Sequence, residues 1–301
     1  MMAMSRSRLL GSVFAGQLLW LIGLGAAGAW TLHQPRFLGP ALFALAAWLT
    51  LAVALLRSDA SAWAPWRGPL QFLTSWLVFP LLRAIHDAFI THSADATLLR
   101  LDRALWGGKS LPEHLMTWMH PALSDVLSGA YLAFFSVVLI SVGVGIWHRR
   151  TVVAQRFFTG LTAMYALGFL GYVTVPASGP FWAFPAIFSY PPPGGTLTHA
   201  LVGAVQQGIT GMDVFPSLHA GITAYVLGFL LLHRRWFAAA LVAPILAGIL
   251  VATLYLGYHY GVDLIAGLVL ATGVLAFTRR SLRVSALGAP IDSDLPFLAA
   301  Q

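Results

Sequence analysis

Apolar blocks of bilayer-crossing length alternate along this chain with short polar, arginine-bearing or proline-rich breaks. A helical crossing takes roughly 20 apolar residues, and candidate spans fall at 9–32, 37–56, 70–89, 127–147, 157–175, 218–232, 237–257 and 262–278. The third is the poorest, because Pro80, Arg83 and Asp87 lie inside it. Arg83 and Asp87 are four apart and share a helical face, so they can pair. Two intervening stretches are long. Within 91–126, the run Leu98-Leu99-Arg100-Leu101-Asp102-Arg103-Ala104-Leu105-Trp106 has the spacing of a short amphipathic helix lying on the membrane interface. The stretch 176–216 is rich in Pro, Gly and aromatic residues, including Pro191-Pro192-Pro193-Gly194-Gly195, and cannot be helical throughout. So apolar a segment is expected to pack over the bundle or dip into the headgroup layer. The pattern predicts an all-α integral membrane protein, a bundle of about eight transmembrane helices with interfacial helices in its outer loops. No fixed-period repeat and no second domain are evident.

Composition strengthens this reading. The chain is 58% hydrophobic and 9% charged, with a mean hydropathy of +0.79, where a soluble domain carries roughly 25% charged residues. The net charge of +7 comes from arginines that flank apolar spans. That placement matches anionic lipid headgroups and argues against nucleic acid. The absence of cysteine excludes disulfides, thiolate metal sites and cysteine nucleophiles. Arg6 and Arg8 precede the first apolar block, and Ala26-Ala27-Gly28-Ala29 offers a weak signal-cleavage sequence. The block is longer than the apolar region of a signal peptide, which favours a retained helix.

Charge also sets orientation. With eight spans and a cytoplasmic N-terminus, twelve of the seventeen basic residues lie inside, from Arg6 to Arg283. Were 70–89 not to cross, eight of those twelve would move outside, so the positive-inside rule supports the crossing. Both termini are then cytoplasmic, in a plasma (inner) membrane, and His219 and His259 lie at the outer surface.

Those two histidines, with Asp263, are the chemical feature of the chain. They stand in Phe215-Pro216-Ser217-Leu218-His219 and Tyr258-His259-Tyr260-Gly261-Val262-Asp263, both embedded in apolar sequence. Ionisable groups at membrane depth are costly, so a cluster of three points to chemistry. Pro216 suits the first turn of a helix. The N–H groups of Ser217, Leu218 and His219 would then face outward, an arrangement that attracts phosphate. A helix starting near Tyr258 would put His259 and Asp263 on one face. Asp263 would fix the tautomer of His259 and leave its other nitrogen nucleophilic. Each half alone also fits a bland role, as a capping histidine or a self-satisfied His–Asp pair. Two histidines and an aspartate can also bind zinc, but no further convincing ligand is evident.

Taken together, the two motifs resemble the type-2 phosphatidic acid phosphatase superfamily, in particular the branch containing inositol phosphorylceramide synthases. The resemblance rests on 215–221 and 253–267. It is supported upstream by Tyr172-Val173-Thr174-Val175-Pro176-Ala177-Ser178-Gly179-Pro180 and by Asp102-Arg103-Ala104-Leu105-Trp106-Gly107. It implies a six-helix phosphatase-like core at 69–280, preceded by two transmembrane helices in 1–68 and followed by a cytoplasmic tail at 281–301. It implies that His259 attacks phosphorus to form a phosphohistidine, that Asp263 orients and stabilises it, and that His219 protonates the leaving oxygen and then deprotonates the acceptor. It implies no metal or other cofactor.

The chain departs from the phosphatase pattern. The Lys and Arg-Pro pair before the first histidine motif are missing, Thr253 stands where an Arg precedes the nucleophile by six residues, and Leu218 replaces a Gly. The synthase branch is similar to this chain at these positions. The cationic phosphate clamp is therefore open. Arg83 is the one basic residue within a span, and Tyr172, Gly179, Ser217 and Thr253 are further candidate substrate contacts. The expected activity is transfer of a phospho-headgroup from a phospholipid or prenyl-phosphate donor to a lipid or polyol hydroxyl. Water would replace that acceptor in a lipid phosphatase acting on phosphatidic acid or prenyl (pyro)phosphates. A transporter using the same polar residues, and an inactive scaffold, are the competing classes. The aromatic segment 181–190 is a candidate lid that excludes water from the intermediate.

Overall fold

A computed structural model describes residues 17, 19–28, 30, 42, 46, 64–188, 191–208 and 211–286. The span expected at 37–56 apart from residues 42 and 46, the ends of that expected at 9–32 and the tail beyond 286 lie outside the described residues. Every regular element among the described residues is helical. Helix α1 covers Leu19–Gly28. Helices α2 (Arg67–Val78) and α3 (Leu82–Phe89) are joined by a 3-10 turn at Phe79–Leu81. Helices α4 (Asp95–Leu105) and α5 (Leu111–Leu115) precede the long α6 (Pro121–Trp147) and α7 (Val152–Thr174). The short α8 (Pro180–Ala183) and α9 (Thr196–Gly208) lead into α10 (Leu218–Leu232), α11 (Trp236–Tyr255) and α12 (Gly261–Ala286).

Helices α6, α7, α11 and, over Gly261–Arg279, α12 are long and apolar enough to cross a bilayer, while α10 is a shorter apolar helix. The protein is an all-α multi-pass membrane protein. The segment expected as one span at 70–89 is divided by the turn carrying Pro80, which has no N–H to continue the α-helical ladder. The helix expected at 98–106 begins earlier, at Asp95, and the stretch 176–216 holds two helices separated by irregular chain.

Helix α10 lies at the centre, packed on α6, α7, α11 and α12. Its contact with α12 is backbone to backbone. A Cβ on Gly267 would lie 2.3 Å from the Ser217 carbonyl, and one on Gly221 would lie 2.9 Å from the Gly267 carbonyl. Small residues let helices approach this closely where apolar burial gives no net attraction between them in lipid. The consequence is functional, because the first turns of α10 and α12 are pressed together. Helix α4 packs over the start of α12 and against α8.

Candidate functional site

Helix α11 ends at Tyr255, and the chain reverses through Gly257, whose φ is +73°. The Thr253 carbonyl accepts from both Tyr258 N (3.0 Å) and His259 N (3.1 Å). His259 therefore sits in the turn ahead of α12, not on a helix from Tyr258 onward. The pairing with Asp263 is nonetheless made, because the turn folds the imidazole back over the helix start. His259 Nδ1 is 3.5 Å from Asp263 Oδ2, an ion-pair separation longer than a formed hydrogen bond. Asp263 Oδ2 also accepts from Tyr260 N at 2.8 Å.

Pro216 likewise precedes the helix instead of occupying its first turn. Ser217 is the N-cap of α10, with its hydroxyl accepting from Ala220 N at 3.4 Å. Its amide is not open to a ligand, since it donates to the Asp263 carbonyl at 3.0 Å. That bond ties the two motifs together through main chain. Ser217 Oγ lies 3.3 Å from His259 Nε2. His219, in the first turn of α10, is wedged between Tyr131 and Phe134, each with its ring centroid 4.6 Å away. The His219 and His259 rings stand edge to face, their centroids 5.7 Å apart.

Three polar atoms of this cluster lack a hydrogen-bond partner: His219 Nδ1, His259 Nδ1 and Asp263 Oδ1. A cavity of about 340 Å³ reaches both histidines. Its wall is mostly aromatic, with Tyr131, Tyr172, Phe169 and Trp182 among it, and its acidic member is Asp213. No lysine or arginine lines it among the described residues.

The other sequence candidates fall in distinct places. Tyr172 is buried and lines the cavity. Gly179 has φ +92°, and a Cβ there would meet the Tyr258 carbonyl at 2.6 Å, so the turn preceding α8 needs glycine on both counts. Thr253 is fully buried and its hydroxyl donates to the Ile249 carbonyl at 2.9 Å, within its own helix. Arg83 pairs with Asp87 (Nε to Oδ2, 2.9 Å), is 45% exposed and stands outside the cavity wall.

Sequence reasoning missed Asp95 and Tyr260. The Asp95 carboxylate accepts from Ser178 N, Ser178 Oγ and Gly179 N, each at 2.9 Å, and from Tyr260 Oη at 2.8 Å. Asp102, two turns later on the same face of α4, accepts from Val262 N (2.9 Å), Leu111 N (3.1 Å) and Trp106 Nε1 (3.3 Å). Burial first, and then the Asp95 carboxylate, pushes the Tyr260 phenol well above its ordinary value, so Tyr260 is a hydrogen-bond donor at any physiological pH. The signal was available: two acids seven apart in an amphipathic run lie on one face, and here it is the buried one. Among the described residues, no group of three His, Cys, Asp or Glu side chains is arranged to hold a metal ion.

Two imidazoles on one cavity, one backed by a carboxylate, can serve as nucleophile and as acid–base partner to one phosphorus. The PAP2 superfamily matches residues 96–277, more than half of the chain, and the chain belongs to that superfamily. Over 200 residues it is 28% identical to a phosphoinositol dihydroceramide synthase of Bacteroides thetaiotaomicron. The match covers 58% of this chain and 63% of that relative, so the chain spans less than two thirds of the relative's length. No solved structure matches. The chain is thus a membrane protein of the superfamily that the two histidine motifs led one to expect.

Proposed function

We propose that this enzyme transfers a phospho-headgroup between lipids through a phosphohistidine on His259. The observation that carries the proposal is the meeting of the two histidine rings at one cavity, 5.7 Å apart, with Asp263 behind His259. Nδ1 of His259 faces Asp263, so Nε2 is the attacking atom. In the first half-reaction the Nε2–P bond forms as the P–O bond to the donor's diacylglycerol breaks, and His219 delivers its proton to the departing oxygen. In the second, His219 takes the proton of an acceptor hydroxyl, the new O–P bond forms and the N–P bond breaks. Asp263 holds His259 in the productive tautomer and offsets its positive charge as phosphorus is bound.

Ser217 and Tyr172 flank the phosphoryl group in this scheme, and Gly179 supplies the turn on the opposite wall. Thr253 acts through the turn that carries His259. Arg83 reaches a phosphate only by leaving Asp87. Transfer is favoured over hydrolysis because an aromatic wall without lysine or arginine suits lipid and excludes water. The name of the Bacteroides relative points to phosphatidylinositol as donor and a dihydroceramide-type hydroxyl as acceptor. The reaction is assigned to the outer face of the plasma membrane, with both termini cytoplasmic.

The test is direct. The full chain in detergent is given fluorescent phosphatidylinositol and dihydroceramide, with and without a chelator, and the products are separated by chromatography. Chelator-insensitive transfer, lost in His259→Ala, is expected, together with trapping of an acid-labile, base-stable headgroup adduct. Turnover by His259→Ala would overturn the mechanism. Release of inositol phosphate without a lipid product would make the enzyme a hydrolase.

A further inference from the structure

Asp95 opens α4, is 3% exposed and touches neither imidazole. It nonetheless joins the two loops that enclose the histidines. Oδ1 accepts from Gly179 N and Tyr260 Oη, and Oδ2 accepts from Ser178 N, Ser178 Oγ and Ser93 Oγ. All five groups are placed as donors, and a carboxylate offers acceptors on both oxygens. One of the tethered loops borders the cavity, because Ser178 is part of its wall. The other loop carries Tyr260, which follows His259 directly and whose N–H donates to Asp263 Oδ2 at 2.8 Å. That same oxygen is the one 3.5 Å from His259 Nδ1.

We propose that Asp95 is a positioning residue of the phosphoryl-transfer site: through Tyr260 it sets the Asp263–His259 geometry, and through Ser178 and Gly179 it sets the cavity wall at Ser178. The proposal rests on the phosphohistidine reading above. Asp102 provides the internal contrast. It is fully buried and accepts three hydrogen bonds, but none of its partners Val262, Leu111 and Trp106 lines the cavity, whereas Ser178 does. Its bonds pin α4 to the start of α12, whereas those of Asp95 reach the cavity wall at Ser178 and the residue next to His259 at Tyr260. Groups that orient the residues doing the chemistry are worth about 10–100-fold when removed from comparable metal sites, and the same scale applies to this relay.

The variants that separate positioning from folding are Tyr260→Phe and Asp95→Asn. Tyr260→Phe removes one hydroxyl and keeps the Tyr260 amide on Asp263. Asp95→Asn is isosteric but turns an amide NH2 toward a backbone N–H, that of Ser178 or of Gly179, which can only donate. With the phosphatidylinositol and dihydroceramide assay, kcat is expected to fall about 10-fold in Tyr260→Phe and about 100-fold in Asp95→Asn, with the donor KM within about twofold of wild type. Orthovanadate, a mimic of the five-coordinate phosphorus, supplies a readout independent of the lipid. It should raise the thermal midpoint of the wild-type protein, and both variants should need at least about 10-fold more of it for the same rise. Variants that melt lower but keep wild-type kcat and vanadate response would show that Asp95 only holds the fold. His259→Ala distinguishes the two levels. If it loses turnover and vanadate binding while Asp95→Asn and Tyr260→Phe lose neither, the positioning role fails and the phosphohistidine reading stands; if it retains both, the reading itself fails.

Discussion

Asp263 and Asp95 are buried to nearly the same extent at the same end of the bundle, yet they are treated in opposite ways. Asp95 has donors on both oxygens, drawn from four residues. Asp263 has a donor on one oxygen, while Oδ1 and the adjacent Nδ1 of His259 have none, as does Nδ1 of His219. A buried polar group left without a partner costs roughly 1–3 kcal/mol, and the fold relieves that cost at Asp95 but not in the histidine cluster. The saturated carboxylates of α4 build the frame, and in the proposed mechanism the unsaturated cluster is the part held for a reactant.

The sharpest way to break this contrast is to remove members of the unsaturated cluster. His259→Ala is expected to lower kcat by at least about 10³-fold, because the nucleophile has no replacement. His219→Ala should cost about 10²–10⁴-fold, the usual contribution of a general acid–base group. Asp263→Asn should cost less than loss of the nucleophile, since it disturbs the tautomer and charge of an imidazole that remains in place. Single-turnover kinetics with labelled phosphatidylinositol would rank the three. Equal losses for Asp102→Asn and His259→Ala would erase the distinction between frame and site.

A second prediction concerns the wall. Phe181 and Trp182 line the cavity, and Phe188 is buried behind it. Replacing Phe181 and Trp182 by alanine should admit water to the intermediate and raise hydrolysis relative to transfer several-fold, about 1 kcal/mol in relative barrier height. An unchanged product ratio would remove this segment from the role of lid.

That His219, His259 and Asp263 would come together was legible in the sequence because these residues are out of place there. Two histidines and an aspartate are costly in apolar surroundings, and chemistry is the common reason for keeping them. What could not be read was how they meet. The expected helix through His259 and Asp263 is a turn followed by a helix, since the Thr253 carbonyl captures two successive amides and Gly257 takes a positive φ. The expected proline in the first turn of α10 stands before the cap, because Ser217 serves as N-cap and its amide is committed to the Asp263 carbonyl. The bond from Ser217 to Asp263 is long-range, and no local propensity encodes it. Asp95 was missed for a related reason. It lies ahead of the amphipathic run expected at 98–106, and most of its donors lie in segments more than 80 residues away in sequence. At the level of fold, apolar length located the long helices, but Pro80 divided the weakest expected span.

Within the frame, Asp102→Asn tests how much a saturated carboxylate contributes to stability. Three donors point at Asp102, two of them backbone amides at the entries to α5 and α12. Replacing one carboxylate oxygen by an amide leaves a donor facing a donor, so a loss of about 1–3 kcal/mol is expected. It should appear as a lower midpoint in detergent denaturation, with the vanadate response of the folded protein retained.

The smallest effect is expected where α4 faces water. Arg103 and Glu113 form a two-pronged ion pair, with N–O separations of 2.9 and 2.6 Å, and Glu113 also closes the capping box of α5 through Ser110. The hydrogen bond from Arg103 is the main reason that the Glu113 carboxyl is held down at about 2, against the opposing effect of burial. A carboxylate whose value is lowered in the folded state adds stability that is complete above its unfolded value, near 4.3. That contribution is lost as pH falls from there toward about 2. Arg103 is 37% exposed, so solvent screens the pair and its worth is at most about 1 kcal/mol. Between pH 7 and pH 5, Glu113→Gln should therefore melt slightly below wild type by a constant margin, and the gap should close on acidification toward pH 2. If the gap persists unchanged at pH 2, what Glu113 contributes is its shape in the capping box and not its charge. The ion pair would then differ from the Asp95 and Asp102 clamps in exposure alone.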